Sequence, residues 1–220
     1  MTRPLMGDPE FSNAYCLLAA THFMEVLVGS TKSPRKSLRE ATKLYQQALA
    51  IDESHPIAIG ALAYVYALQS QYDKAIAQAE RAVALNPNRA NPHLGMVLFH
   101  ASRYREAIFW LKKAIRLDPK GPEYYFLYLG RAYRELGQYE EAIAELKKAL
   151  GRQPDYVWAH IELAATYSLA GREEEARAAA SDVLNINPKF SPEGFAKNFP
   201  YKNQAHKERY IDALHKAGLK

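Results

Sequence analysis

Apolar residues recur three and four positions apart along most of this chain, the spacing that lines one face of an α-helix. Residues 123–156, EYYFLYLGRAYRELGQYEEAIAELKKALGRQPDY, show the pattern most clearly. Phe126, Leu129, Tyr133 and Leu136 fall on one side of a first helix. Ala142, Leu146 and Ala149 fall on one side of a second, with Glu and Lys residues opposite. Gly137 stands between them and suits a tight turn that requires positive φ. Two helices joined by so short a turn pack antiparallel.

The same pattern returns at a fixed interval. It reads Ala75, Ala82, Pro87; Ala107, Ala114, Pro119; Ala142, Ala149, Pro154; then Ala176, Val183, Pro188. Successive first alanines are 32, 35 and 34 residues apart, and the prolines repeat those intervals. A period near 34 predicts an all-α solenoid of stacked helix pairs, in which each unit contacts only its neighbours. Numbering each unit from one, position 8 is Ala63, Gly95, Gly130 and Ala164, and position 20 is Ala75, Ala107, Ala142 and Ala176. Small residues at both places let two helix backbones approach closely. Large residues flank them: Leu62, Leu94, Leu129 and Leu163 at position 7, and Tyr66, Leu98, Tyr133 and Tyr167 at position 11. An ordinary helical bundle requires no such fixed register.

Five units are expected over residues 11–190, namely 56–87, 88–121, 123–156, 157–190 and a degenerate unit over 11–55. In the degenerate unit a first helix over 11–28 carries Tyr15, Leu18 and Ala19. A second over 36–53 carries Ala41, Tyr45 and Ala48, with Glu53 in place of the proline. GSTKSPRKS lengthens the turn between them to roughly ten residues, against ~2–8 in most helix pairs. It lacks the second glycine and the GK[ST] ending of a phosphate-binding loop. Residues 1–10 read as a tail. Asp8-Pro9 has the form of the last letters of a preceding unit, so either a longer parent has been cut here or GDPEF is partly a cloning remnant. At the other end, residues 191–220 read as a cap: a short helix over 191–197, a break at Asn198-Phe199-Pro200, and an amphipathic helix over 203–217 ending at Gly218. Tyr210, Leu214 and Ala217 are placed to cover unit 157–190, leaving Lys207, Arg209 and Lys216 in water.

The spaced positions Phe126, Leu129-Gly130, Tyr133, Ala142, Leu146, Ala149 and Pro154 resemble the tetratricopeptide repeat, and the likeness extends over residues 56–188. Unit 88–121 departs from it with Asn91 where an aromatic is usual, and the preceding unit is two residues short. The resemblance implies a right-handed superhelix with the first helix of each unit on the concave side. It also implies a peptide-binding groove lined by Tyr64; His93, Met96 and His100; Tyr124, Tyr128, Arg131 and Arg134; Trp158 and Glu162. The carboxylate clamp of chaperone-binding members needs Lys, Asn and Arg where this chain has Gly60, Tyr64 and His93, so that specificity is not expected. The ending INPKFSPEGFAKNFPYK with ALHKAGLK also resembles the tail that closes tetratricopeptide arrays behind bacterial class III adenylate/guanylate cyclase domains. No stretch reads as a cyclase catalytic domain.

Composition narrows the function. The 220 residues are 48% hydrophobic and 24% charged, ordinary for a folded globular chain. No apolar run approaches the ~20 residues that span a bilayer, and the start of the chain lacks the apolar stretch of a secretory signal. Cys16 is the one cysteine, which fits a reducing cytoplasm. The formal charge of +5 is concentrated near residues 32–43 and 197–220 rather than along a stripe with interleaved aromatics, which argues against nucleic acid. His93 and His100 lie seven apart on one helix face. A metal site usually has closer His spacing with a carboxylate or Cys partner, so both read as groove histidines. No cofactor, metal or catalytic group is expected.

The reading is a non-catalytic scaffold that holds a protein or peptide segment in its concave groove, where aromatic, Arg and Met side chains supply contact energy. Arg131 and Arg134, three apart, are placed to receive an acidic side chain. The alternative is a regulatory or self-associating module of a signalling enzyme such as an adenylate cyclase, with an uncapped first unit as the self-association surface.

Overall fold

The computed structural model describes residues 9–27, 29–198 and 201–220. Most of the expected tail, residues 1–8, and part of the expected break, residues 199–200, lie outside the described residues. The described residues form twelve α-helices and no strand. The first ten make five hairpins: α1 (Pro9–Leu27) with α2 (Pro34–Ile51), α3 (Pro56–Leu68) with α4 (Tyr72–Leu85), α5 (Pro92–His100) with α6 (Tyr104–Leu117), α7 (Tyr124–Glu135) with α8 (Tyr139–Arg152), and α9 (Val157–Leu169) with α10 (Glu173–Ile186). Two more, α11 (Pro192–Asn198) and α12 (Gln204–Lys216), close the chain. Each hairpin packs on the next in two ways, first helix on first helix and second helix on the following first helix. The result is a right-handed α-solenoid.

Side-chain size sets how closely the two helices of a hairpin approach. A Cβ on Gly130 would stand 2.7 Å from Leu146 Cγ and 3.1 Å from the Ala142 carbonyl oxygen; on Gly95 it would stand 2.6 Å from Leu111 Cγ and 3.1 Å from the Ala107 oxygen. Both are closer than a real Cβ tolerates, so position 8 is glycine wherever position 24 is leucine. In the other two hairpins position 8 is Ala63 or Ala164, and position 24 shrinks to Ala79 or Ala180, all four buried. The same space is filled in two complementary ways, as close packing requires.

The turns within four hairpins repeat one hydrogen-bond pattern. The amides of Gln71, Arg103, Gln138 and Arg172 donate to the carbonyls of Tyr66, Leu98, Tyr133 and Tyr167 at 2.8–3.0 Å. The preceding residue turns left-handed in each case: Ser70 (φ 61°), Ser102 (φ 62°), Gly137 (φ 75°) and Gly171 (φ 74°). This is the Schellman helix ending, which satisfies orphan carbonyls and favours glycine.

The first hairpin departs from expectation at its turn. α2 begins at Pro34, not at residue 36, because proline's fixed φ suits the first helical position and its missing N–H costs nothing there. The connection between α1, which ends at Leu27, and Pro34 is therefore shorter than the ten or so residues expected. Ser37 Oγ donates to Glu25 Oε2 at 3.2 Å and tethers the turn to α1. Cys16 is buried against His55, with Sγ 3.7 Å from Nδ1, and burial, with the Asp52 charge adding to it, pushes its thiol up to about 11. It is a packing residue.

Candidate functional site

The first helices α3, α5, α7 and α9 line the concave face, with α1 at one end. Along each of them the early turns and the late turns meet different surroundings.

The late turns are covered by the chain's own C-terminal segment. α12 packs on α9 and buries Tyr210, Leu214 and Ala217, as its amphipathic pattern predicts. The segment does more than cap the last hairpin, because it crosses back over earlier ones. Lys202 Nζ sits 5.5 Å from the Tyr72 ring, and His206 stacks on Tyr104 at 5.7 Å with its Nδ1 3.0 Å from the Tyr104 hydroxyl. Arg209, expected in water, donates to Glu135 Oε2 at 3.0 Å, and His206 Nδ1 lies 2.8 Å from the same oxygen.

Beneath this segment lies a buried charge network. Glu162 Oε1 accepts from Arg131 Nε at 2.7 Å and from the Tyr210 hydroxyl at 3.1 Å, and its Oε2 accepts from Arg134. Arg134 also donates to Glu135 Oε1 at 2.7 Å and lies with its guanidinium 4.3 Å from the Tyr210 ring. The Arg134 side chain is 1% exposed and that of Glu162 2%. Burial alone would raise the Glu162 carboxyl, but the two guanidiniums outweigh it and hold the group below its usual value. Burial likewise works against the Arg131 and Arg134 charges, and Glu162 more than compensates. The place a ligand carboxylate would take on Arg131 and Arg134 is thus filled by Glu162, the residue that the repeat register sets on the same face.

The early turns are open. They line a cavity of about 370 Å³ whose walls are Tyr64, His93, Met96, Tyr124, Tyr128, Arg131 and Trp158, joined by Leu127, Tyr156 and, from α1, Phe23, Met24 and Leu27. Glu123 stands at its rim. The floor is an aromatic run: Phe23 packs edge-on to Tyr64 at 5.4 Å, Tyr64 edge-on to Tyr128 at 6.1 Å, and the two tyrosine hydroxyls meet in a hydrogen bond. His100 lies behind, its Nε2 3.3 Å from the Tyr128 hydroxyl, in the region reached by Tyr201 and Lys202. Burial pushes the Tyr64 hydroxyl, with Tyr128 adding to it, well above the ordinary tyrosine value. Burial lowers His93 to about 4, so its ring is neutral at pH 7. The cavity is therefore aromatic, with one carboxylate at the rim and one guanidinium already committed to Glu162.

Of the ten residues expected in the groove, Tyr64, His93, Met96, Tyr124, Tyr128, Arg131 and Trp158 share this cavity, while His100, Arg134 and Glu162 lie toward the covered side. Tyr156 and the three α1 residues fall outside the repeat positions used to choose candidates. Tyr156 precedes its helix by one residue, and α1 belongs to the degenerate unit, where the register is weakest. Among the described residues no group of three or more His, Cys, Asp or Glu is placed to hold a metal ion, and no helix is long and apolar enough to cross a membrane.

Two sequence models described as tetratricopeptide repeat match the chain, one over residues 36–90 and 61–122, the other over 98–148 and 133–196. Superkiller protein 3 of Schizosaccharomyces pombe is 25% identical over 194 residues, 84% of this chain and 13% of that protein. The heat-shock protein cognate co-chaperone sgt12 of Aspergillus fumigatus is 32% identical over 95 residues, 42% of this chain and 28% of that protein. The chain thus spans well under a third of either relative. Among solved structures, a thermophilic TPR protein of Thermus thermophilus superposes with a TM-score of 0.71 at 22% identity, covering 93% of this chain and 99% of the other. PilW, a type IV pilus biogenesis factor, gives 0.68 at 26% identity, covering 94% and 90%.

Proposed function

The chain belongs to the tetratricopeptide repeat family, and on that premise we propose that the open edge of its concave face holds a segment of a partner protein, without catalysis of its own. Proteins of this family mediate protein–protein interactions. The observation that carries the reading here is the aromatic cavity of about 370 Å³, within the ~300–1,000 Å³ typical of binding pockets. Tyr and Trp are the residues that dominate interface energy, and Met24 and Met96 at its sides adapt to varied side chains. Arg131, the guanidinium in this cavity, already pairs with Glu162, so apolar and aromatic side chains anchor the segment.

Capture of partners by the immobilised chain, compared with Tyr124→Ala/Trp158→Ala, tests this. Recovery falls at least about tenfold for the variant, with helicity retained by circular dichroism. Equal recovery from both proteins contradicts the reading.

A second reading, self-association, is favoured by α1. The position-7 leucines of the later units are buried, yet Leu18 at the same place on α1 is 51% exposed, beside Leu17 at 72%. Sedimentation of the wild type and Leu17→Ser/Leu18→Ser over a wide concentration range decides it. Concentration-independent monomer for the wild type removes the second reading.

A further inference from the structure

The outer face of the solenoid is built from the second helices, and one of them breaks the pattern its neighbours keep. Unit positions 18, 22 and 26, four residues apart, fall on the same outer side of that helix. Position 18 is Asp73 in α4, Glu140 in α8 and Glu174 in α10, acids in the first turn that the helix dipole favours. In α6 it is Arg105, a charge of the disfavoured sign. Position 22 is Ala77, Ala144 and Ala178, all exposed, but in α6 it is Phe109, 63% exposed. Phe109 meets Trp110 edge-on at 5.5 Å, and Lys113 at position 26 lies over the Trp110 ring at 4.7 Å. Packing of the repeat accounts for neither departure, since positions 18 and 22 face water in all four units. Both act against the free chain: one opposes the helix dipole, the other leaves a ring in water.

The complement of this face lies two hairpins further on. α6 carries four bases against Glu106, a net +3, and α10 carries four acids against Arg177, a net −3, while α4 and α8 are neutral. Arg105 and Lys113 stand four residues to either side of Phe109, and Glu174 and Asp182 stand at the same spacing around Ala178. A ring laid on that alanine brings each base against an acid, whether the two helices run parallel or antiparallel. α4 and α8 lack this match, because position 26 is Arg81 in one and Lys148 in the other, so a base would meet a base. Among the described residues no acid is ion-paired with Arg105 or Lys113 and no base with Glu174, while Asp182 has His160 Nδ1 at 3.5 Å. Within one chain α7, α8 and α9 stand between the two faces, so they meet only across two copies.

We propose that the outer face of α6 docks on the outer face of α10 in a second copy of this chain, with Phe109 seated against Ala178 and with Arg105 and Lys113 on Glu174 and Asp182. This goes beyond both readings given under Proposed function, since it uses neither the aromatic cavity nor α1. One helix on one helix falls below the ~1,200 Å² of standard protein interfaces, so the association is weak, concentration-dependent and screened by salt. Because the two faces differ, one contact leaves the other face of each copy free to add further copies.

Sedimentation velocity of the full chain from about 10 µM to about 1 mM, the range of weak association, tests this. The weight-average mass of the wild type rises with concentration, and rises less in ~0.5 M salt than in ~0.05 M. Phe109→Ala, which restores the residue of the other units, weakens association at least about tenfold with no loss of melting temperature. Arg105→Glu/Lys113→Asp and Glu174→Arg/Asp182→Lys each abolish self-association alone. An equimolar mixture of those two variants associates again, which also shows that both fold, and a chain carrying all four reversals self-associates like the wild type. Unchanged association in Phe109→Ala, or no recovery in the mixture, overturns the proposal. If Leu17→Ser/Leu18→Ser abolishes association where Phe109→Ala does not, the α1 surface stands in its place. A wild type that stays monomeric throughout overturns both, and a monomer that binds phosphatidylserine vesicles through Phe109 overturns it in favour of a lipid occupant. Peptide capture in the aromatic cavity is unaffected by any of these variants, so the groove reading stands or falls separately.

Discussion

The two edges of the concave face are built from the same four helices and end in opposite states. At the edge where α3, α5, α7 and α9 finish, the chain fills its own groove: Tyr210 reaches Glu162, Arg209 reaches Glu135, and His206 stacks on Tyr104. At the edge where they start, rings and methionines stand around empty space. The difference lies in which side chains carry charge. Arg134 and Glu135 end α7, Arg131 and Glu162 pair midway along α7 and α9, and buried charge demands partners, which the C-terminal segment helps to supply. The starting edge carries Glu123 at its rim and only the Arg131 guanidinium already paired with Glu162, and its apolar surface waits for any partner that removes it from water. A groove face can thus be closed to one class of ligand and open to another.

The covered edge breaks most severely at Glu162. Glu162→Gln leaves two buried guanidiniums short of a counter-charge, and removal of one partner from a buried network costs about 3–5 kcal/mol. Urea unfolding is expected to show a loss of that order, with α12 losing amide-exchange protection. Acid acts on the same group. The folded-state value of Glu162 is held below the unfolded one, so the stability it confers is present above the unfolded carboxylate value and is lost as pH falls through the folded one. A stability–pH profile therefore declines on the acid side for the wild type and is flatter there for Glu162→Gln.

Smaller changes sharpen the contrast. α7 spans both edges, and Gly130→Ala pushes it away from Leu146, costing about 1–3 kcal/mol. Leu146→Ala alone costs about 2–5 kcal/mol. The double variant recreates the Ala–Ala pairing of Ala63 with Ala79 and of Ala164 with Ala180, so its loss is smaller than the sum of the single losses, a non-additivity read directly by a double-mutant cycle. Strict additivity contradicts the packing account. The smallest effect belongs to the turns: Ser102→Gly relieves a left-handed serine and raises stability by about 0.5–1 kcal/mol, seen as a higher melting temperature, while Gly137→Ala lowers it.

The repeat made much of this legible in the sequence. Position 8 against position 20 is a statement about backbone approach, and Gly130 over Ala142 shows it in contacts. α12 was legible as an amphipathic helix with Tyr210 and Leu214 on its buried face, because periodicity reports which side is apolar. It does not report how far across the groove that side reaches, so the pairing of Arg209 with Glu135, 74 residues apart, had no local signal. Arg131, Arg134 and Glu162 were legible as neighbours on one face. Their mutual neutralisation depends on rotamers and on Tyr210 closing over them, which spacing alone does not carry. The start of α2 was misplaced by two residues because Pro34 reads as a breaker inside a loop and as a starter at a helix N-terminus.

Hydrogen exchange of the full chain, with and without a captured peptide, tests the division of the concave face most directly. The account predicts new protection at residues 92–96, 124–128 and 156–158, with the slow exchange of 204–216 unchanged. Loss of protection across 204–216 on binding, with none gained at the starting edge, would mean that the ligand displaces the C-terminal segment, and would contradict it.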